Sequence, residues 1–216
     1  MYTKQPKYYK LPTPQIFENA TFDNWIPQTT RDIELLRELS GTIDHNILIS
    51  GKVGTGKTHL AYALRKAHST TNVNDKEWMK QYDIYGDSYE KSDVHIVTIK
   101  ELIGLIRKIW NYKPKTKSAD YEKTPEEELM EIKNQPILVI DEMGMQYGSE
   151  SERIELFDLF NHRWENKLPI IALSNSPFGE LKNILGDRIL DRLMDGISIY
   201  ILESNSHRQM GKYQQQ

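Results

Sequence analysis

The stretch LISGKVGTGKTHLAYAL, Leu48 to Leu64, constrains the chain more than any other. An apolar strand runs into a glycine-rich turn, and the turn opens an apolar-periodic helix that begins near Lys57. Gly51, Gly56, Lys57 and Thr58 match the spacing G-x-x-x-x-G-K-[ST] of a phosphate-binding loop. Glycines in such a turn let the backbone curl until successive N–H groups face one anion. The helix N-terminus adds partial positive charge. In that geometry Lys57 reaches the β and γ phosphates, and the Thr58 hydroxyl ligates Mg²⁺. The loop extends over Gly51, Lys52, Val53, Gly54, Thr55, Gly56, Lys57, Thr58 and His59. The His59 imidazole itself, like that of His162, reads as structural. The plainer alternative is a glycine-rich turn that binds nothing, but the preceding strand and following helix are the context the motif demands.

Strands are expected at 45–50, the one that enters the loop, and at 94–99, 136–142, 169–175 and 198–202. Their apolar runs, separated by helices, indicate a parallel sheet covered on both faces. The fold class is therefore α/β, a three-layer P-loop domain. Thr30 is the expected cap of a helix over Arg31–Ser40, stopped by Gly41. An amphipathic helix covers KELIGLIRKIW. Thr124 and Pro125 open a solvated helix within the acidic 120–131 stretch. A helix over SERIELFDLFNHRWENK has Ile154, Phe157, Leu159, Phe160 and Trp164 as its expected core face, and another spans 187–194. Ile16, Phe17, Phe22 and Trp25 are expected to be tacked onto the core. Residues 69–93 read as a polar surface insertion with a short helix around Trp78. Residues 1–14 read as a flexible arm, 15–208 as the P-loop core and 209–216 as a loose tail.

A length of 216 residues suits one well-buried domain. A formal charge of -3 offers no global basic field for nucleic acid. The absence of cysteine excludes disulfides, thiolate metal sites and a cysteine nucleophile. No signal peptide opens the chain, and no apolar run approaches the ~20 residues of a spanning helix. A soluble, cytoplasmic protein is the expectation.

Asp141 and Glu142 close the buried strand ILVIDE. Parallel sheets place ligands at strand C-termini. Asp141 would hold Mg²⁺ through water, and Glu142 would polarise an attacking water as general base. Standing alone, such acids would simply cap the next turn. Asn175, ending IALSN, can orient the same water or merely begin a turn before Pro177. Arg188 and Arg192, four apart in GDRILDRLMDG, lie on one helix face. They either form a salt-bridged surface with Asp187, Asp191 and Asp195 or present a guanidinium to a neighbouring subunit's nucleotide. Residues 107–117 hold Arg107, Lys108, Lys113, Lys115 and Lys117 with no acid. Trp110 and Tyr112 among them suit base stacking with phosphate neutralisation, unless Trp110 belongs to the core.

Together GKVGTGKTHLA, ILVIDEMG, LSN, GDRILDRL and SNSHR resemble, in that order, the motifs of the DnaC-type helicase loaders and their IstB-like relatives, a branch of the AAA+ ATPases. The likeness runs from IFENATFDNW to SHR. It implies ATP or ADP and Mg²⁺ as ligands, Asn175 as sensor 1, and Arg208 as sensor 2. It implies Arg192 as a finger acting in trans, with Arg188 the second choice. It also implies head-to-tail self-association, a replicative hexameric helicase as partner, and single-stranded DNA held by the basic stretch. Loaders of this group carry a separate N-terminal helicase-binding domain, whereas only an arm stands before this core. The 69–93 insertion is also longer than the family usually shows. A transposition helper acting with a transposase on duplex DNA shares the same motifs. A non-catalytic nucleotide-gated module and, more weakly, a small-molecule kinase are the remaining alternatives.

Overall fold

The computed structural model describes residues 13–71, 90–113, 123–144 and 150–203. Most of the arm, the helix expected around Trp78, Lys115, Lys117, Arg208 and the tail lie outside the described residues. Strands β1 (Ile47–Gly51), β4 (Val94–Thr98), β5 (Ile137–Met143), β6 (Ile170–Ser174) and β7 (Ser198–Leu202) form one parallel sheet. Its order is β4-β5-β6-β1-β7. A separate antiparallel pair, β2 (Ser69–Thr71) with β3 (Glu90–Ser92), joins the two ends of the polar insertion.

Alternate residues of each central strand enter opposite cores, as the period of two requires. Ile47, Ile49, Val139, Ile171, Leu173 and Tyr200 pack on one side with α1 (Thr30–Leu39) and α2 (Lys57–Ala67). Leu48, Leu138, Ile140, Ile170 and Ala172 pack on the other. That second layer is built from α3 (Ile99–Trp110), α4 (Pro125–Asn134), α5 (Glu150–Glu165), α6 (Phe178–Leu185) and α7 (Asp187–Met194). Both faces are apolar, so these strands carry runs rather than alternation.

Helix starts follow local chemistry. Capping boxes open α1, α3 and α4 through Thr29 with Asp32, Thr98 with Glu101, and Thr124 with Glu127. The α1 cap is thus Thr29, not Thr30. The reason is the carboxylate: Asp32 accepts from the Thr29 N–H at 3.0 Å, and only Thr29 stands three residues before it. Helix α6 follows Pro177, where the sequence reads as a turn after β6.

The α5 face differs from expectation. Leu159 and Phe160 are buried, but Ile154 and Trp164 are exposed and Phe157 only partly buried. The buried stripe is Glu152, Leu156, Leu159, Phe160 and Arg163. It is a regular helical stripe whose two ends are charged, and that disguised its phase. Near the start of the described chain, Trp25 is buried and Phe22 partly so, while Ile16 is exposed. Phe17 stacks on Tyr62 of α2 with centroids 4.7 Å apart.

Arg163 is fully buried and donates to the carbonyls of Lys133 at 3.0 Å, Gln135 at 2.8 Å and Pro169 at 2.7 Å. One guanidinium so ties the end of α4 to the entries of β5 and β6. Replacing it with Met would strand several buried acceptors. Arg163→Met is expected to cost about 3 kcal/mol or more, read as a lower urea midpoint at unchanged slope. Arg163→Lys should recover only part, because an ammonium lacks the planar fork.

Candidate nucleotide-binding site

The turn between β1 and α2 is shaped by its glycines. Gly54 and Gly56 have φ of 89° and 93°, the left-handed region that other residues avoid. Gly51 is required for another reason. It pairs with Leu202 of β7, and a Cβ on it would lie 2.6 Å from the Leu202 carbonyl oxygen. The Lys57 ammonium donates to the carbonyls of Gly51 at 2.6 Å and Lys52 at 2.9 Å, folding back across the loop. Its burial pushes its pKa down from 10.5 to about 8, against the pull of Asp141. Thr55 is buried and its hydroxyl donates to the Lys52 carbonyl at 3.0 Å.

Thr58, in the first turn of α2, donates its hydroxyl to Asp141 Oδ2 at 2.8 Å. This contact spans β6, since β1 and β5 are not neighbours in the sheet. Asp141 sits where β5 departs from its ladder: Ile140 pairs with Ala172, but Met143 pairs with Ser174. One extra residue is therefore accommodated in β5, a bulge of the kind that re-aims side chains beside active sites. Glu142, at φ 59°, occupies the left-handed region there and is exposed, while Asp141 is buried. The Glu142 N–H donates to Asp141 Oδ1 at 2.7 Å. Ser174 Oγ donates to the Met143 carbonyl at 2.6 Å and accepts from the Ser176 N–H at 3.0 Å, bracing the strand ends. Asn175 stands exposed immediately beyond β6.

Two hard oxygens, Thr58 Oγ1 and Asp141 Oδ2, thus converge beside the loop. That donor set fits Mg²⁺, which keeps several waters and shares phosphate oxygens rather than needing a protein cage. His59 Nε2–H donates to the Thr21 carbonyl at 3.0 Å, so its ring holds the segment before α1 against α2.

The remaining expected residues lie elsewhere. The last turn of α7 is held by Asn46, whose Nδ2 donates to the carbonyls of Arg192 at 3.2 Å and Leu193 at 3.0 Å. Asn46 precedes β1, whereas the phosphate loop follows it. Arg192 therefore anchors at the opposite end of the sheet, about 16 Å of strand away at ~3.3 Å per residue. Arg188 is exposed one turn earlier. In α3, Arg107 Nε donates to Glu152 at 2.6 Å, so this cation is paired within the fold. Lys108 and Lys113 are exposed, as are Trp110 and Tyr112, which removes Trp110 from the core. Sequence reasoning missed Glu152 as the Arg107 partner and Ser174 as a strand-end brace. A buried acid in a helix carries no local signal, and a serine at a strand end carries very little.

Two outcomes are expected. Gly51→Ala should weaken ATP binding and lower the thermal midpoint together, because its methyl collides with the backbone of β7. Binding should also depend on Lys57 protonation. A polyphosphate raises a pKa that burial has lowered, so binding takes up a proton above pH about 8 and affinity falls as pH rises through that point. Calorimetry at pH 8.5 in buffers of different ionisation heat should detect the uptake. Lys57→Arg should abolish it, since guanidinium stays charged.

The profile of the IstB-like ATP binding protein family matches residues 114–215. The replicative helicase loader DnaC of Escherichia coli K12 is 27% identical over 194 residues, covering 87% of this chain and 68% of that protein. An ATP-binding protein of insertion sequence IS5376 from Geobacillus stearothermophilus is 30% identical over 211 residues, covering 94% of this chain and 71% of that protein. The crystal structure of the DnaC helicase loader superimposes with a TM-score of 0.62 at 19% identity, covering 88% of this chain and 100% of that one. Among the described residues no helix is long and apolar enough to cross a membrane. Phosphate loop, bulged acidic strand and all-parallel five-stranded sheet accord with these likenesses, and the chain belongs to the IstB-like and DnaC-type family of AAA+ P-loop ATP-binding proteins.

Proposed function

We propose that this chain is an ATP-hydrolysing DNA replication protein that loads or remodels a replicative hexameric helicase on single-stranded DNA. It would work in the bacterial cytoplasm as a head-to-tail assembly. The observation that carries the assembly is the split of parts between opposite ends of one sheet. Thr58, Asp141 and Glu142 cluster at the strand C-termini, while Arg192 anchors at the N-terminal edge. A head-to-tail contact would bring one copy's arginine to the next copy's loop. The loader assignment draws on the likeness to DnaC.

Each residue then has a role. Loop amides and Lys57 hold the β and γ phosphates. Thr58 and Asp141 would hold Mg²⁺, which when bound would neutralise charge on those oxygens. Glu142 accepts the proton of the attacking water as the bond from the γ-phosphorus to ADP breaks. Asn175 orients that water, and Arg208 would contact the same nucleotide. Lys108, Lys113, Lys115 and Lys117 neutralise DNA phosphates while Trp110 and Tyr112 stack on bases. Arg107 is the weakest member of this set, being paired with Glu152. Loss of the γ-phosphate contacts on hydrolysis supplies the differential affinity that a release step needs.

Glu142→Gln should retain ATP binding and lose about 10²–10⁴ in turnover, measured as phosphate release. Single-stranded DNA should stimulate hydrolysis, and a hexameric replicative helicase should co-purify in ATP but not in ADP. Absence of both would overturn the loader reading. Affinity for single strands should fall with salt, and Lys113, Lys115 and Lys117 changed together to Ala should flatten the log–log slope by about 2. A second reading, a transposition helper acting with a transposase on duplex DNA, is favoured by the likeness to the insertion-sequence protein. A strong preference for duplex over single strands in the same titration would select it.

A further inference from the structure

Arg192 does not project freely from α7. Its Nε donates to Asn161 Oδ1 at 3.1 Å, and its guanidinium carbon stands 4.6 Å from the centroid of the Trp164 ring and 5.8 Å from that of Phe157. Phe157, Asn161 and Trp164 occupy positions i, i+4 and i+7 of α5, so one helix face supplies all three. This is the face that the core stripe of α5 leaves outside. The bracket is itself held in place. The Trp164 Nε1–H donates to Asp195 at 2.7 Å, and Asn161 Nδ2 donates to Glu165 at 2.9 Å, which leaves Asn161 Oδ1 turned to the guanidinium. A recess lined by Trp164, Asp191, Met194 and Asp195 opens beside it. Asp191 pairs with the Arg192 NH1 end. Its side chain is 72% exposed, so its charge is well screened and a phosphate can take its place.

An exposed tryptophan fixed by an acid beneath a half-buried arginine contributes little to a core. It does restrict a side chain that otherwise carries large rotamer entropy. We propose that Trp164, seconded by Asn161, is a positioning residue for Arg192. It would hold the guanidinium ready for the phosphate loop of a second copy of this chain. The inference rests on the reading that Arg192 serves a neighbouring nucleotide. It also separates the two arginines: Arg188 is exposed and, among the described residues, reaches only the Phe157 ring, at 5.9 Å, so Arg192 is the one prepared. Asp191 acts as a stand-in anion until phosphate displaces it.

The test is ATP hydrolysis by mixed subunits. Arg192→Ala has an intact loop and no finger; Glu142→Gln has the finger and no base. Each alone should be nearly inactive, and mixing should restore turnover. Placing Trp164→Ala in the Glu142→Gln partner should cut the restored kcat about 3- to 30-fold with ATP affinity unchanged, in keeping with loss of one cation–π contact. Trp164→Phe in the same partner should recover most of it, because the ring face remains. Trp164 is 43% exposed, so folding should survive, which a urea midpoint verifies. If mixing restores nothing, or Arg192→Ala alone stays active, the underlying assignment of Arg192 fails. If mixing restores turnover equally with and without the Trp164→Ala change, the arginine assignment stands and the positioning role is overturned.

Discussion

A hydrogen bond of 2.8 Å from Thr58 to Asp141 joins two strands that do not touch. Thr58 opens the helix that follows β1, Asp141 lies two residues before the end of β5, and β6 runs between the two strands. The contact crosses the C-terminal end of β6, level with which β5 also ends, Met143 pairing with Ser174. β6 ends at Ser174, whose hydroxyl holds the Met143 carbonyl, and β5 takes in one extra residue at the acids. The phosphate loop alone would bind an anion. With this cross-strand link, the same loop stands beside a buried carboxylate whose neighbour in the strand is exposed. The bulge lets adjacent acids in one strand occupy different environments, 8% exposure for Asp141 and open solvent for Glu142.

Much of this was legible in the sequence because the chemistry is local. The phosphate loop declares itself by spacing, and the sheet by apolar runs such as ILVID and IIALS. What stayed hidden depends on tertiary partners. The charged ends of the α5 stripe, Glu152 and Arg163, find partners outside the helix: Arg107 of α3 and the carbonyls of Gln135 and Pro169. A reading by hydrophobicity counts such residues as surface and shifts the helix phase accordingly. Ile154 and Trp164 then appear as core when they are not.

That error is informative. The residues of α5 that look misplaced, Phe157 and Trp164, are the ones that meet Arg192. Apolar side chains on the wrong face of a well-formed helix are poor core and good binding surface. The β5 bulge follows the same logic, since Glu142 takes a backbone conformation costly for a non-glycine residue. Departures from local regularity therefore gather at the two places given chemical roles.

The antiparallel ladder of β2 with β3 has a different consequence. It clasps the polypeptide where Thr71 and Glu90 come side by side, with paired Cα atoms about 5 Å apart. Whatever number of residues is strung between those two points, α2 and β4 see only a closed gate. Closure entropy grows slowly with loop size. This doorway is consequently the natural place to splice in a foreign hairpin, a fluorophore tag or a new recognition module while the layers around the parallel sheet stay put.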